Sequence, residues 1–177
     1  QDAMHIHYLV ESERRAYADR HRYLGDPSYV DITISKLVSQ EYADSLYNSI
    51  IDSSATTSEN IFDESIFIDT ESTETTHLSV IDINGNCVSL TTSLNGWFGN
   101  GITVKEGGFL LNNEMDDFSI KPGHPNMYGL VGSEVNAIAP GKRMLSSMSP
   151  TIVTNMENIP FLVLGTPGGS TIITTIA

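Results

Sequence analysis

The run Thr75-Thr76-His77-Leu78-Ser79-Val80-Ile81-Asp82-Ile83-Asn84-Gly85-Asn86-Cys87-Val88-Ser89-Leu90-Thr91 decides the fold of this 177-residue chain. Two alternating runs, His77 to Ile81 and Cys87 to Thr91, flank Asn84-Gly85. Alternation of period two predicts strands with one face turned inward, and Asn-Gly between them predicts a tight hairpin in which both turn positions take positive φ. Downstream, strands are expected at Gly108 to Leu111, Ser149 to Thr154 and Phe161 to Leu164, with a second hairpin turning near Glu157-Asn158. Gly-rich loops intervene at 96–101 and 165–169, and Ser170-Thr171-Ile172-Ile173 is expected to open a helix.

Upstream the period changes. Ala3 to about Arg22 reads as a helix, with Ile6, Leu9, Val10 and Tyr17 on one face and Glu11, Glu13, Arg14, Arg15 and Arg20 able to pair locally. Gly25-Asp26-Pro27 breaks it. A second helix is expected over 34–51, from the spacing of Leu37, Val38, Tyr42, Leu46 and Ile50. Between Asp52 and Glu74 there are seven acids, nine Ser or Thr and no base, which reads as an exposed, mobile linker. The chain thus divides into a helical part (1–51), an acidic linker (52–74) and a β-rich part (75–177), an α+β organisation.

Charge follows the same division. Of 22 acids and 9 bases, 15 and 5 lie in residues 1–74, so most of the net charge of -13 precedes Thr75. An acidic chain lacks the Lys and Arg that phosphate binding requires, which argues against a nucleic-acid partner. A single cysteine, Cys87, leaves no internal disulfide and no Cys-rich zinc site. His5 and His7 stand two apart on a helix and diverge, so they make a poor metal pair. Adjacent Asp116 and Asp117 diverge in the same way if extended. Gly-x-Ser-x-Gly, His-Glu-x-x-His and phosphate-loop patterns are missing from the sequence. A first residue Gln1 followed at once by helical sequence suggests a segment of something longer.

Thr75 stands where the acidic linker meets the first strand. An interior Thr hydroxyl is a poor nucleophile. At a chain start the α-amino group, with a pKa of about 7.7–8.0, can take the hydroxyl proton near neutral pH. A mobile linker makes the necessary cut before Thr75 feasible. On the residues alone the plainer readings stay open: Thr-rich strand starts are common, Asn95-Gly96 and Gly168-Gly169 can be ordinary turns, and Ser146-Ser147 a polar strand entry.

Thr75-Thr76-His77-Leu78-Ser79-Val80 closely resembles the start of the small subunit of gamma-glutamyltransferases. The resemblance continues through Leu111-Asn112-Asn113-Glu114-Met115-Asp116-Asp117-Phe118, Lys121-Pro122-Gly123, Leu145-Ser146-Ser147-Met148-Ser149-Pro150-Thr151 and Thr166-Pro167-Gly168-Gly169-Ser170. Ala16-Tyr17-Ala18-Asp19-Arg20 and Tyr23-Leu24-Gly25-Asp26-Pro27 resemble the end of the large subunit. The resemblance implies an N-terminal-nucleophile hydrolase, here a partial four-layer αββα sandwich, made as a precursor that cuts itself at Glu74-Thr75.

It further implies that freed Thr75 attacks the γ-glutamyl amide of glutathione or a related compound, passing the acyl group to water or to an amino acid or peptide. Ser93 matches a position where the family commonly has Thr, a hydroxyl supporting the nucleophile. Asn95, Glu114 and Asp117 match residues that hold the α-amino and α-carboxylate ends of the glutamyl group, and Ser146 and Ser147 the pair that bonds its carboxylate. Gly168 and Gly169 match the oxyanion hole. Pro122 to Ser133 matches a lid, with Tyr128 closing against Asn95. No cofactor or metal is implied. The remainder of the large subunit, which carries a carboxylate-binding Arg unmatched here, is the implied partner. The implied location is periplasmic, secreted or cell-surface. This chain by itself is expected to be inactive and uncut. Other readings are a relative acting on another acyl donor, such as poly-γ-glutamate or a cephalosporin side chain, and an inactive member serving as a binding module.

Overall fold

The structure, a computed structural model, describes residues 2–62, 75–124 and 132–177. They form two compact units, one from residues 2–62, 118–124 and 132–145, the other from 75–117 and 146–177. Both helix and strand are present, as an α+β chain requires.

In the first unit, helix α1 (Ala3–Tyr23) begins at Asp2, whose carboxylate accepts from the His5 amide at 2.8 Å. It ends with Arg20, His21 and Arg22 in the last turn, where cations complement the helix dipole. The expected apolar face is not its buried one. Ile6, Leu9 and Val10 are 50%, 46% and 44% exposed, whereas Glu11, Arg15 and Ala18 form the buried stripe. The reason is polar satisfaction, because a buried carboxylate is tolerated when its lone pairs are filled. Glu11 accepts from Arg14 (2.8 Å), Arg15 (2.6 Å), the Thr56 hydroxyl (2.6 Å) and the Thr56 amide (3.2 Å). Burial alone would raise its pKa, but the hydrogen bonds from Thr56, Arg15 and Arg14 prevail and hold it at about 2. Arg15 also donates to the hydroxyl and carbonyl of Ser49.

The helix expected over 34–51 is two: α2 (Ile34–Leu37) and α3 (Gln40–Tyr47). Ser39 separates them, since its hydroxyl accepts from the Tyr42 amide at 3.2 Å as an N-cap and donates to the Lys36 carbonyl at 2.8 Å. Residues 52–62 of the expected linker are docked rather than free. Tyr8 donates to Asp52 at 2.8 Å, Thr56 is held by Glu11, and the short helix α4 (Ser58–Ile61) buries Ile61. The Tyr8 phenol is pushed up to about 12, chiefly by the hydrogen bond to Asp52.

The second unit is built of two-stranded antiparallel ribbons. Strands β1 (Thr76–Ile81) and β2 (Cys87–Thr92) form the hairpin that the alternating runs predict, pairing from Thr76↔Thr92 to Ile81↔Cys87. Short strands β3 (Thr103–Val104) and β4 (Phe109–Leu110) make the second ribbon, and β5 (Thr151–Thr154) and β6 (Pro160–Leu164) the third. β3 has no counterpart in the sequence reading. The first hairpin departs from the expected Asn-Gly turn, because only Gly85 has positive φ (83°). Asp82 accepts from the amides of Asn84 (2.8 Å) and Asn86 (2.9 Å), widening the loop so that Gly85 alone sits in the left-handed region. The third ribbon repeats the device. Asn155 accepts from the amides of Glu157 and Ile159, both near 3 Å, and Asn158 takes φ 61°. Helix α5 (Ile172–Ile176) follows, with Ile172 buried.

Candidate active site

The described candidates Thr75, Ser93, Asn95, Glu114, Asp117, Ser146, Ser147, Gly168 and Gly169 all belong to the second unit. The β1–β2 register closes at Thr76↔Thr92, so Thr75 and Ser93 are the flanking residues at that end of the hairpin. Thr75 is half-buried. The chain leaves β2 through a turn fixed by side chains. The Ser93 hydroxyl accepts from the Asn95 amide at 2.9 Å, and Asn95 has φ 69°, a conformation that Asn tolerates better than most residues.

Asn95 is only 8% exposed, and its amide nitrogen donates to the Asn113 carbonyl at 3.2 Å. Asn113 in turn accepts from the Gly96 amide through Oδ1 (2.8 Å) and donates from its backbone to the Leu94 carbonyl (3.1 Å). This grip sets the position of the 3-10 turn Glu114–Asp117, which begins at the next residue. The Glu114 amide is bound by Asn112 Oδ1 at 3.1 Å, and Glu114 and Asp117 are both half-buried. Half-buried carboxylates on a rigid turn are suited to receive an ammonium through charge-assisted hydrogen bonds. Ser93, Asn95 and Glu114 thus belong to one connected piece. Nothing in the local sequence marks Asn113 as the residue that fixes this loop. Its partners lie 17 and 18 residues back along the chain, a separation no local pattern reveals.

The Gly-rich loop after β6 starts beside β1. A Cβ on Gly165 would fall 2.0 Å from the His77 ring, so only glycine fits there. His77 itself is held between the hydroxyls of Thr91 and Ser79, each at 2.9 Å. Ser89 ties the ribbons together, donating to the Leu164 carbonyl (2.8 Å) and accepting from the Thr151 amide (3.1 Å). Gly168 has φ 139° and Gly169 φ 55°, both conformations that L side chains rarely adopt. Thr171 donates from its amide (3.0 Å) and its hydroxyl (2.8 Å) to the Gly168 carbonyl, fixing the 3-10 turn Gly169–Thr171. Backbone amides without Cβ atoms can be approached closely by an anion.

Ser146 and Ser147 lie on the strap that enters β5, the first exposed and the second half-buried. The Ser146 hydroxyl accepts from the Met148 amide at 3.1 Å, and the Ser147 carbonyl accepts from the Ser149 hydroxyl at 3.1 Å. Glu74 and Tyr128 lie outside the described residues. The ends of the Tyr128 segment are described, and there the Gly123 amide donates to the Gly132 carbonyl at 3.0 Å. Among the described residues no group of three or more His, Cys, Asp or Glu is placed to hold a metal ion, and no helix is long and apolar enough to cross a membrane.

Comparison with known proteins gives a consistent result. The family model described as gamma-glutamyltranspeptidase matches residues 1–177. The chain is 51% identical over 175 residues to a glutathione hydrolase proenzyme of Escherichia coli, covering 99% of this chain and 30% of that protein. It is 48% identical to the glutathione hydrolase proenzyme of Pseudomonas aeruginosa, covering 98% of this chain and 30% of that one. The chain therefore spans about a third of the length of these relatives. Among solved structures, a gamma-glutamyltranspeptidase of Pseudomonas nitroreducens complexed with L-DON superimposes with a TM-score of 0.54 at 63% identity, over 57% of this chain and 52% of that one. A Helicobacter pylori gamma-glutamyltranspeptidase variant gives a TM-score of 0.53 at 62% identity, over 56% of this chain and 53% of that one.

Proposed function

This chain belongs to the gamma-glutamyltranspeptidase family, and from that membership we propose that it is the stretch of a precursor around its self-cleavage site. On this reading the mature enzyme transfers or hydrolyses γ-glutamyl groups through Thr75. The observation that carries the reading is the end of the β1–β2 ladder, which leaves Thr75 and Ser93 flanking the same end of one hairpin.

The Thr75 hydroxyl first attacks the Glu74 carbonyl carbon. The acyl group moves from nitrogen to oxygen, and water then hydrolyses the ester, releasing Glu74 with a free carboxylate and Thr75 with a free amine. That amine serves as the base in catalysis, drawing the proton from the Thr75 hydroxyl as it attacks the γ-carbonyl of glutathione or another γ-glutamyl compound. The hydroxyl of Ser93 supports the nucleophile. The amides of Gly168 and Gly169 receive the oxyanion, and losing one such donor typically costs about 2.7–4 kcal/mol of transition-state stabilisation. The leaving amine departs with a proton, and a γ-glutamyl ester remains on Thr75. Water or an amine acceptor then releases the acyl group.

Substrate orientation comes from opposite ends of the glutamyl group. Glu114 and Asp117 accept from its α-ammonium, while Asn95, Ser146 and Ser147 bind its α-carboxylate, with Tyr128 closing over it. The Ntn-hydrolase sandwich is completed by the remainder of the large subunit, which covers the apolar side chains exposed on β1 and β2, among them Leu78, Val80, Val88 and Leu90. This chain alone is therefore inactive and uncut. A periplasmic, secreted or cell-surface setting fits such an enzyme. The test is turnover of a γ-glutamyl anilide by the full-length protein and its Thr75→Ala variant. Loss of both turnover and cleavage is expected, and unchanged turnover removes Thr75 from the mechanism.

A further inference from the structure

Residues on the two sides of the Glu74–Thr75 bond interlock within the first unit. Asp26, 4% exposed, accepts from the Arg143 backbone amide (2.8 Å) and from its guanidinium at Nε (3.1 Å) and Nη2 (2.8 Å), and also from the Ser28 amide (3.0 Å). Three further contacts surround this pair. Tyr29 donates to the Pro140 carbonyl at 2.6 Å, Ser133 donates to the His21 carbonyl at 2.6 Å, and a Cβ on Gly25 would meet the Val135 carbonyl at 2.4 Å. The strap that follows is pinned on its own side as well. Lys142 donates to the carbonyls of Val135 and Ala137, both at 2.8 Å, and the Leu145 amide donates to Asn136 Oδ1 at 3.0 Å.

We propose that Asp26 is a clamp acting across the cleavage junction: by holding both the side chain and the main chain of Arg143, it keeps the upstream piece attached once the chain is cut. This rests on the proposed cleavage at Glu74–Thr75. A carboxylate that takes two guanidinium bonds and a backbone amide from one residue fixes that residue's main chain as well as its side chain, which a surface ion pair does not do. The clamp supplies no group to the reacting atoms, so its loss should act on attachment of the two pieces and spare the chemical step.

The test uses the full-length protein with Asp26→Asn, and with Arg143→Ala as a milder variant because the Arg143 side chain is 71% exposed and leaves no cavity. Both are expected to weaken the association of the two cleaved pieces about tenfold, the loss typical of a charge-assisted hydrogen bond. They should leave kcat within about twofold, and let the two cleaved pieces separate at lower urea on size-exclusion chromatography. In a double-mutant cycle the pair should behave as one unit, the double variant costing little more than Asp26→Asn. Unchanged attachment, in a protein whose wild type is cut and active, overturns the clamp and leaves the proposed function standing. A fall in kcat at constant KM also overturns it. A wild type that is not cut at Glu74–Thr75 overturns both.

Discussion

The two units solve the problem of holding a chain in place by different means. In the helical unit the buried positions include Glu11, Arg15, Asp26 and Asn136, and the contacts that matter join residues far apart, with Asp26 and Arg143 separated by 117 positions. In the ribbon unit much of the order is short-range, in strand ladders, Asx turns at Asp82 and Asn155 and the Asn113 grip on the Asn95 loop, with Ser89 tying distant ribbons together, while many of its apolar side chains stay exposed. The lesson is a division of labour. Geometry at the candidate site is set by local polar bonds, and the helical unit is held by long-range bonds to buried carboxylates.

The sharpest way to break this contrast is Glu11→Ala. It strands Arg15 with its buried guanidinium unpaired, a kind of loss that costs about 3–5 kcal/mol. Urea unfolding should show the loss, and hydrogen exchange should place it in α1 and residues 49–56 with the ribbons unaffected. Acid probes the same centre. Glu11 is held at about 2 against an ordinary 4.5, so its contribution is fully present above pH 4.5 and disappears as pH falls toward 2. Asp26 is depressed in the same direction, first by the Arg143 side chain, and adds to the effect. Exchange measured between pH 5 and 2.5 should show the helical unit loosening first.

Gly165→Ala is the corresponding probe of the ribbon unit. Its Cβ collides with the His77 ring, an overpacking strain of about 1–3 kcal/mol that should perturb β1 and spare the helices. A smaller effect is expected at the turn of the third ribbon. Asn158→Ala, at φ 61°, should cost about 1–2 kcal/mol, whereas Asn158→Gly should cost nothing measurable. Equal effects of the two would contradict a conformational origin.

What the sequence made legible is what short-range physics controls. Alternation located β1 and β2 as one hairpin but not its register, and the motif resemblance named Thr75 and Ser93, which flank one end of that hairpin, and Asn95 just beyond it. The Asn84-Gly85 pair located the turn but not its type, because the side chain of Asp82, outside the dipeptide, decides which residue takes positive φ. Apolar spacing ran straight through Ser39, whose hydroxyl caps a new helix. It also chose the wrong face of α1, since burial of Glu11 depends on Thr56, 45 residues away. The acidic stretch looked free for the same reason. Its first part is docked by hydroxyls and amides that composition counts as solvent-loving.

The central claim is that the chain is cut to make Thr75 an N-terminal nucleophile. Intact-mass measurement of the full-length protein tests it most directly. Two fragments meeting between Glu74 and Thr75 are expected, and a single uncut species for Thr75→Ala. Full turnover from an uncut wild-type chain, or a cut at any other bond, would contradict it.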